Sequence, residues 1–346
     1  MYYTSLEYFE KKYDACPKEY AFQASTTKEH RAWRDAAARR LREIAGIDRC
    51  VRVRPQERCV SVTRENGRRK EYWLMQTEPG VWMPFYLLRR EDDGGADGRK
   101  HPVLLNPHGH GGGKETTVDT DFAREMADAG WYVFCPDERG SGERREFPQQ
   151  SDDEAMRRGS SHRELLQLAI GFGQSVIGLA VWDLMCLLDM VQTWPDADGE
   201  RIACAGMSGG GQQTLWLSAI DERVKAAIVS GYFYGMRDSL VSLPQNCACN
   251  FVPHLWETMD MGDMGAMIAP RALFVESGEK DPLEGKRGLE NVYPQVMTAK
   301  RAFALYGKAD SVVHSIHDGG HEWRGDGMKE FLEREVKTIE TAVGMV

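Results

Sequence analysis

The sequence predicts an α/β protein with a mixed, mostly parallel central sheet of about eight strands flanked by helices. Three observations carry that expectation. From residue 102 onward, short apolar runs alternate with helix-length amphipathic segments, the pattern of βαβ units. Before them lie two longer strand-like stretches, 51–62 and 71–88, separated by the hairpin signal Glu65-Asn66-Gly67. Third, a tight glycine turn, Gly206-Met207-Ser208-Gly209-Gly210, stands where one apolar run hands over to a helical segment.

Taken in order, residues 1–49 read as a helical arm. AWRDAAARRLREIAG is rich in Ala, Arg and Leu, and Gly46 is placed to cap its C-terminus. Residues 50–346 read as one catalytic domain. The charged, Gly-rich stretch 91–100 is a surface loop. The runs at 102–106, 131–135, 201–206, 226–231, 272–277 and 311–316 predict strands. Segments 118–129, 178–194, 212–220, 290–306 and 328–343 predict helices. Two connections, about 140–173 and 232–269, are too long for simple turns and read as cap or lid-like insertions. The second is rich in large side chains, so Tyr232 and Trp256 are candidate substrate-binding residues.

Composition narrows the function. The 346 residues hold 44 Lys or Arg against 53 Asp or Glu, a net charge of −9, which argues against a nucleic-acid partner. Nothing approaches the roughly 18 consecutive apolar residues of a membrane helix, and no basic segment followed by an apolar run opens the chain. With eight cysteines read as reduced thiols, these features predict a cytoplasmic protein. Cys135, Cys186 and Cys204 sit inside apolar runs and read as buried core thiols. Cys247 and Cys249 form a C-x-C pair, too close for a zinc knuckle and without a second pair to complete a site.

Ser208 is the candidate nucleophile, since small residues two before and two after it let a sharp turn lift its hydroxyl above the sheet. A serine needs a base. His321, in the glycine loop Asp318-Gly319-Gly320-His321 after the last strand-like run, is preferred over His317 and His314; His30, His101, His162 and His254 read as surface or structural. Asp281, after the run ALFVES, is the candidate orienting acid, with Glu279 and Asp310 as alternatives. The order Ser208, Asp281, His321 is that of an α/β-hydrolase. For the oxyanion hole, the amide of Gly209 and one from the loop His108-Gly109-His110-Gly111-Gly112-Gly113-Lys114 are expected, His110 first and Gly111 next. A metal held by His108 and His110 lacks a visible third ligand, so no metal and no cofactor is expected. A phosphate loop lacks the required spacing.

Over residues of about 50 to 346 the sequence resembles the α/β-hydrolase superfamily, and within it the dienelactone hydrolase-like and acetyl xylan esterase-like branch. HGHGGGK (108–114), PDERGSGE (136–143), GMSGGG (206–211), SGEKDP (277–282) and GGHEW (319–323) carry the resemblance. It implies Ser208 as nucleophile, Asp281 as acid, His321 as base, and a supporting Arg139-Gly140 element. The chain has Gly209 where the branch's acetyl esterases tend to carry glutamine. The expectation is a serine carboxylic ester hydrolase acting through an acyl-enzyme on a small or sugar-linked ester. A serine peptidase of the same fold and a non-catalytic binding protein are the alternatives. The aromatic arm Tyr2, Tyr3, Tyr8 and Phe9 is a candidate for docking on a second copy of the chain.

Overall fold

A computed structural model describes residues 3–93, 99–146, 159–243 and 246–337. Its centre is a nine-stranded sheet in the order β1-β2-β3-β5-β4-β6-β7-β8-β9. The strands are β1 (Glu57–Glu65), β2 (Arg68–Glu78), β3 (Val81–Arg90), β4 (His101–Leu105), β5 (Tyr132–Pro136), β6 (Ala197–Met207), β7 (Val224–Ser230), β8 (Ala272–Gly278) and β9 (Val312–His317). β1 to β3 form an antiparallel meander that joins β5 antiparallel, and every pairing from β5 to β9 is parallel. The expected strand over 71–88 divides in two. Gly80 takes φ 77°, a turn that folds Val81–Arg90 back along Arg68–Glu78 and brings the strand number to nine.

The helices are α1 (Ser5–Ala15), α2 (Thr27–Ala45), α3 (Lys114–Val118), α4 (Asp121–Asp128), α5 (His162–Ile170), α6 (Val176–Val191), α7 (Gly209–Ile220), α8 (Leu255–Thr258), α9 (Met261–Ile268), α10 (Leu289–Ala304) and α11 (Met328–Leu332). Alternate strand residues feed two apolar layers, as a pleat of period two requires. Val103, Leu105, Tyr132, Phe134, Ile202 and Cys204 pack with α2, α6, α7, α9 and α10. Leu104, Val133, Cys135, Ala203 and Ala205 pack with α4 and α11 on the other face. Helix α6 is buried on nearly every side, which is why its sequence is almost uniformly apolar.

Of the expected arm, the stretch from Phe22 to Ile47 is woven into this core, whereas α1 buries no side chain. Phe22, Ala37, Leu41, Ile44 and Ile47 belong to the larger apolar layer, and the backbones of Glu19 and Tyr20 bond to Glu257 and Thr258. Gly46 caps α2 in the left-handed region, as expected from its place after the Ala-rich helix. Tyr3, Tyr8 and Phe9 are exposed, whereas Tyr2 lies outside the described residues. So do residues 147–158 and 244–245 of the two expected insertions, and the end of the helix expected over 328–343.

Candidate active site

Ser208 sits where β6 ends and α7 begins, with φ 55° and ψ −115°, a backbone region that serine adopts only under constraint. The constraint is local packing. A methyl group on Gly206 would collide with the Gly210 backbone, and one on Gly210 with the Pro107 carbonyl. The Ser208 N–H donates to the Ser230 carbonyl at 2.9 Å, tying the turn to the end of β7.

The residue after Ser230 meets the candidate base. A methyl group on Gly231 would lie 3.0 Å from His321 Cε1 and 3.2 Å from its Nδ1. His321 Nδ1 in turn hydrogen-bonds Asp281 Oδ2 at 2.7 Å. Asp281 is buried and also accepts the Leu283 N–H at 2.8 Å, so its carboxylate is fixed from two sides. Beneath them, buried Glu276 of β8 accepts from Ser230 Oγ at 2.6 Å and from the Gly325 N–H at 2.9 Å, pinning the loop that carries His321. The alternatives are engaged elsewhere or turned outward. His317 Nδ1 accepts from the Gly319 N–H, His314 pairs with Ser277 Oγ, and Glu279 and Asp310 are exposed. Burial pushes the His314 imidazole down to about 4. Next to Asp281, burial and then the Asp281 charge push the carboxyl of Glu284 up to about 8.

The loop after β4 lies against the nucleophile. A methyl group on Gly209 would fall 3.1 Å from the His110 backbone nitrogen, so the expected amide pair, His110 and Gly209, is brought together. Gly111 turns outward and is exposed. The loop is held by buried Lys114, whose backbone N–H and ammonium donate to the two oxygens of Asp137 at 2.7 and 3.0 Å. Arg139 makes a two-pronged contact with Asp183 at 2.9 and 2.8 Å and a second ion pair with Glu78. Burial opposes the Asp183 charge, yet Arg139 and Arg144 hold its carboxyl well below the usual carboxylate range.

One arrangement escaped the sequence. Ser208 Oγ is hydrogen-bonded to the side chain of His110, through Nδ1 at 3.1 Å. The other His110 nitrogen, Nε2, lies 3.0 Å from Cys249 Sγ. His162, expected to be a surface or structural residue, is buried with Nδ1 3.0 Å from Cys247 Sγ. The expectation that neither His110 nor the C-x-C pair has further metal-type ligands is therefore corrected: one ligand atom from each of His110, His162, Cys247 and Cys249 lies within 4.8 Å of all the others. His108 is not among them, because its Nε2 accepts the Glu138 N–H. A hydrogen bond from Cys249, followed by the two imidazoles, lowers the Cys247 thiol far below its usual range, while burial raises that of Cys249.

The two substrate-binding candidates fall apart in space. Tyr232 is buried and its hydroxyl donates to Asn250 Oδ1 at 2.6 Å, behind the C-x-C segment. Trp256 lines a cleft of about 330 Å³ with Leu166, Ile170 and Phe251. A different cleft, of about 390 Å³, opens beside the nucleophile turn and is lined by Gly109, Thr116, Phe122, Met207 and Trp323. No local pattern announces it, since its walls come from four separate segments.

Residues 9–285 match the Abhydrolase family. The chain belongs to this family. It is 25% identical over 222 residues to a Bacillus subtilis protein named "Putative hydrolase YtaP", a match spanning 60% of this chain and 69% of that one. Among solved structures it is similar to a putative acetyl xylan esterase from Bacteroides fragilis, at TM-score 0.76 and 18% identity over 92% of this chain and 83% of the other. A glucuronoyl esterase from Teredinibacter turnerae superposes at TM-score 0.65 and 15% identity, covering 94% and 90% of the two chains. The fold is thus that of the α/β-hydrolases. Among the described residues, no helix is long and apolar enough to cross a membrane.

Proposed function

We propose that the chain is a serine esterase that cleaves a small or sugar-linked carboxylic ester through an acyl-enzyme. The observation that carries this reading is the 2.7 Å pairing of His321 Nδ1 with buried Asp281, at the sheet edge where Ser208 is held in its strained turn. Asp281 fixes the tautomer, leaving His321 Nε2 free to take the Ser208 proton as Oγ attacks the ester carbonyl. The oxyanion that forms is met by the amides of Gly209 and His110, reinforced by the N-terminus of α7. His321 then protonates the departing alcohol. In the second half, it deprotonates a water that releases the acid from Ser208.

The cleft beside the turn suits a modest acyl or alcohol group, with Met207, Phe122 and Trp323 supplying an apolar wall. Similar structures are named for acetyl xylan and glucuronoyl ester hydrolysis, so acetylated xylo-oligosaccharides and glucuronate methyl esters are the substrates to try beside 4-nitrophenyl acetate. Hydrolysis of one or more of these, lost in Ser208→Ala, supports the reading. Faster turnover of an aminoacyl nitroanilide would make the chain a peptidase instead. An inert wild type would favour a binding protein.

A further inference from the structure

We propose that His110, His162, Cys247 and Cys249 form a tetrahedral zinc site set directly behind the nucleophile. Two imidazole nitrogens and two sulfurs are the donor set that favours a four-coordinate Zn²⁺ over harder cations. The four ligand atoms already lie within 4.8 Å of one another. Zn–S and Zn–N bonds of about 2.3 and 2.0 Å place N and S about 3.5 Å apart around a tetrahedron. The two imidazole–sulfur contacts of 3.0 Å therefore need to open by only about half an ångström. On binding, any protons still held by the two sulfurs and by the ligating imidazole nitrogens leave to solvent, and two thiolates with two neutral imidazoles give a site of zero net charge.

The surroundings fit that use. Each imidazole turns one nitrogen inward and has a polar partner for the other, as metal-bound histidines do. His162 Nε2 lies 3.3 Å from Ser141 Oγ and 3.5 Å from Glu138 Oε2, a buried carboxylate oxygen with no hydrogen-bond partner among the described residues. A side chain at Gly140 would crowd the His162 ring at 2.8 Å, so that glycine lets the imidazole seat. The C-x-C segment is braced at both ends. Asn246 donates to the Ser239 carbonyl, Asn250 to that of Cys247, and Gln212 to that of Cys249. Both asparagines thereby gain a role, that of holding two sulfurs in a fixed position.

With four protein ligands the site is closed, so the metal itself has no position for substrate. Its effect on chemistry would pass through His110. Metal on Nε2 leaves the hydrogen on Nδ1, which faces Ser208 Oγ at 3.1 Å. His110 can then only donate to the nucleophile, and His321 alone can take the serine proton. This second clause rests on the esterase reading; the site itself does not.

The test uses the purified full chain and zinc or cobalt(II) alone. The expected result is about one zinc per chain after exhaustive dialysis. Cobalt(II) in its place should show the visible absorption of a tetrahedral ion with thiolate-to-cobalt charge transfer. Cys249→Ser and Cys247→Ser should each abolish that spectrum, while Cys59→Ser, at an exposed thiol away from the cluster, should retain it. Folded wild-type protein that retains no metal and gives no cobalt spectrum, or a Cys247–Cys249 disulfide in its place, overturns the site. So does an unchanged spectrum in the two serine variants. Removing the metal should slow Ser208 labelling by a fluorophosphonate, and zinc should restore it; labelling indifferent to metal overturns the coupling. Metal bound without any labelling would confirm the site and sink the esterase reading.

Discussion

Replacing Gly231 with alanine tests whether His321 is held where the proposed chemistry needs it. Two effects are built into that position. The backbone sits at φ 59°, where an alanine costs about 1–2 kcal/mol. The new methyl group would stand 3.0 Å from His321 Cε1 and 3.2 Å from Nδ1, inside the ~3.5–4.0 Å of an ordinary carbon contact. Relief requires the imidazole to move by roughly half an ångström. Since a 1 Å misplacement can cost about 100-fold in rate, half that should cost about tenfold, or ~1.4 kcal/mol. Gly307→Ala is the control, with φ 67° and open space where its methyl would go. Steady-state hydrolysis of 4-nitrophenyl acetate and urea unfolding should be run on both. Both variants should lose similar stability, and only Gly231→Ala should lose kcat. A Gly231→Ala enzyme with unchanged kcat would refute the placement of the base.

Other expectations follow from the same geometry. Asp281→Asn should lower kcat by about 10³–10⁴-fold with KM nearly unchanged, because the orienting carboxylate is lost but the binding surface is not; a loss under about tenfold would contradict its role. Asp183→Ala should reduce unfolding free energy by about 3–5 kcal/mol, since it removes the carboxylate shared by Arg139 and Arg144 and leaves Glu78 to pair with Arg139 alone. Denaturant titration reads this, and a loss below about 1 kcal/mol would deny the cluster its structural weight. Burial and the Asp281 charge push the Glu284 carboxyl from 4.5 up to about 8 on folding, so between those values the unfolded chain binds fewer protons and stability falls as pH rises. Glu284→Gln should remove that decline, and parallel stability–pH curves for wild type and variant would contradict it.

Much of the framework was legible because it is local. The turn at Ser208 is written in glycines two residues to either side, and the parallel strands in short apolar runs that need no distant partner to be recognised. The reversal inside 71–88 has a local signal as well, because Gln76-Thr77-Glu78-Pro79-Gly80 interrupts the apolar pattern with a Pro-Gly turn. Helix α6 lost its expected amphipathic face to near-complete burial. The histidine–cysteine cluster was invisible for a different reason. His110 and Cys249 are 139 positions apart, and His162 and Cys247 are 85 apart, so only the folded loops bring them together. The same holds for the cleft beside the nucleophile. Tyr232 drew attention as a large aromatic in a long connection, but its hydroxyl is spent on bracing Asn250.

Reacting the protein with a fluorophosphonate and locating the adduct by peptide mass spectrometry would probe the nucleophile with the fewest intermediate assumptions. One phosphonyl group per chain on the hydroxyl of residue 208, absent from Ser208→Ala and formed far more slowly in His321→Ala, is the predicted outcome. Modification of some other serine, or an equal rate with and without the imidazole of residue 321, would contradict it.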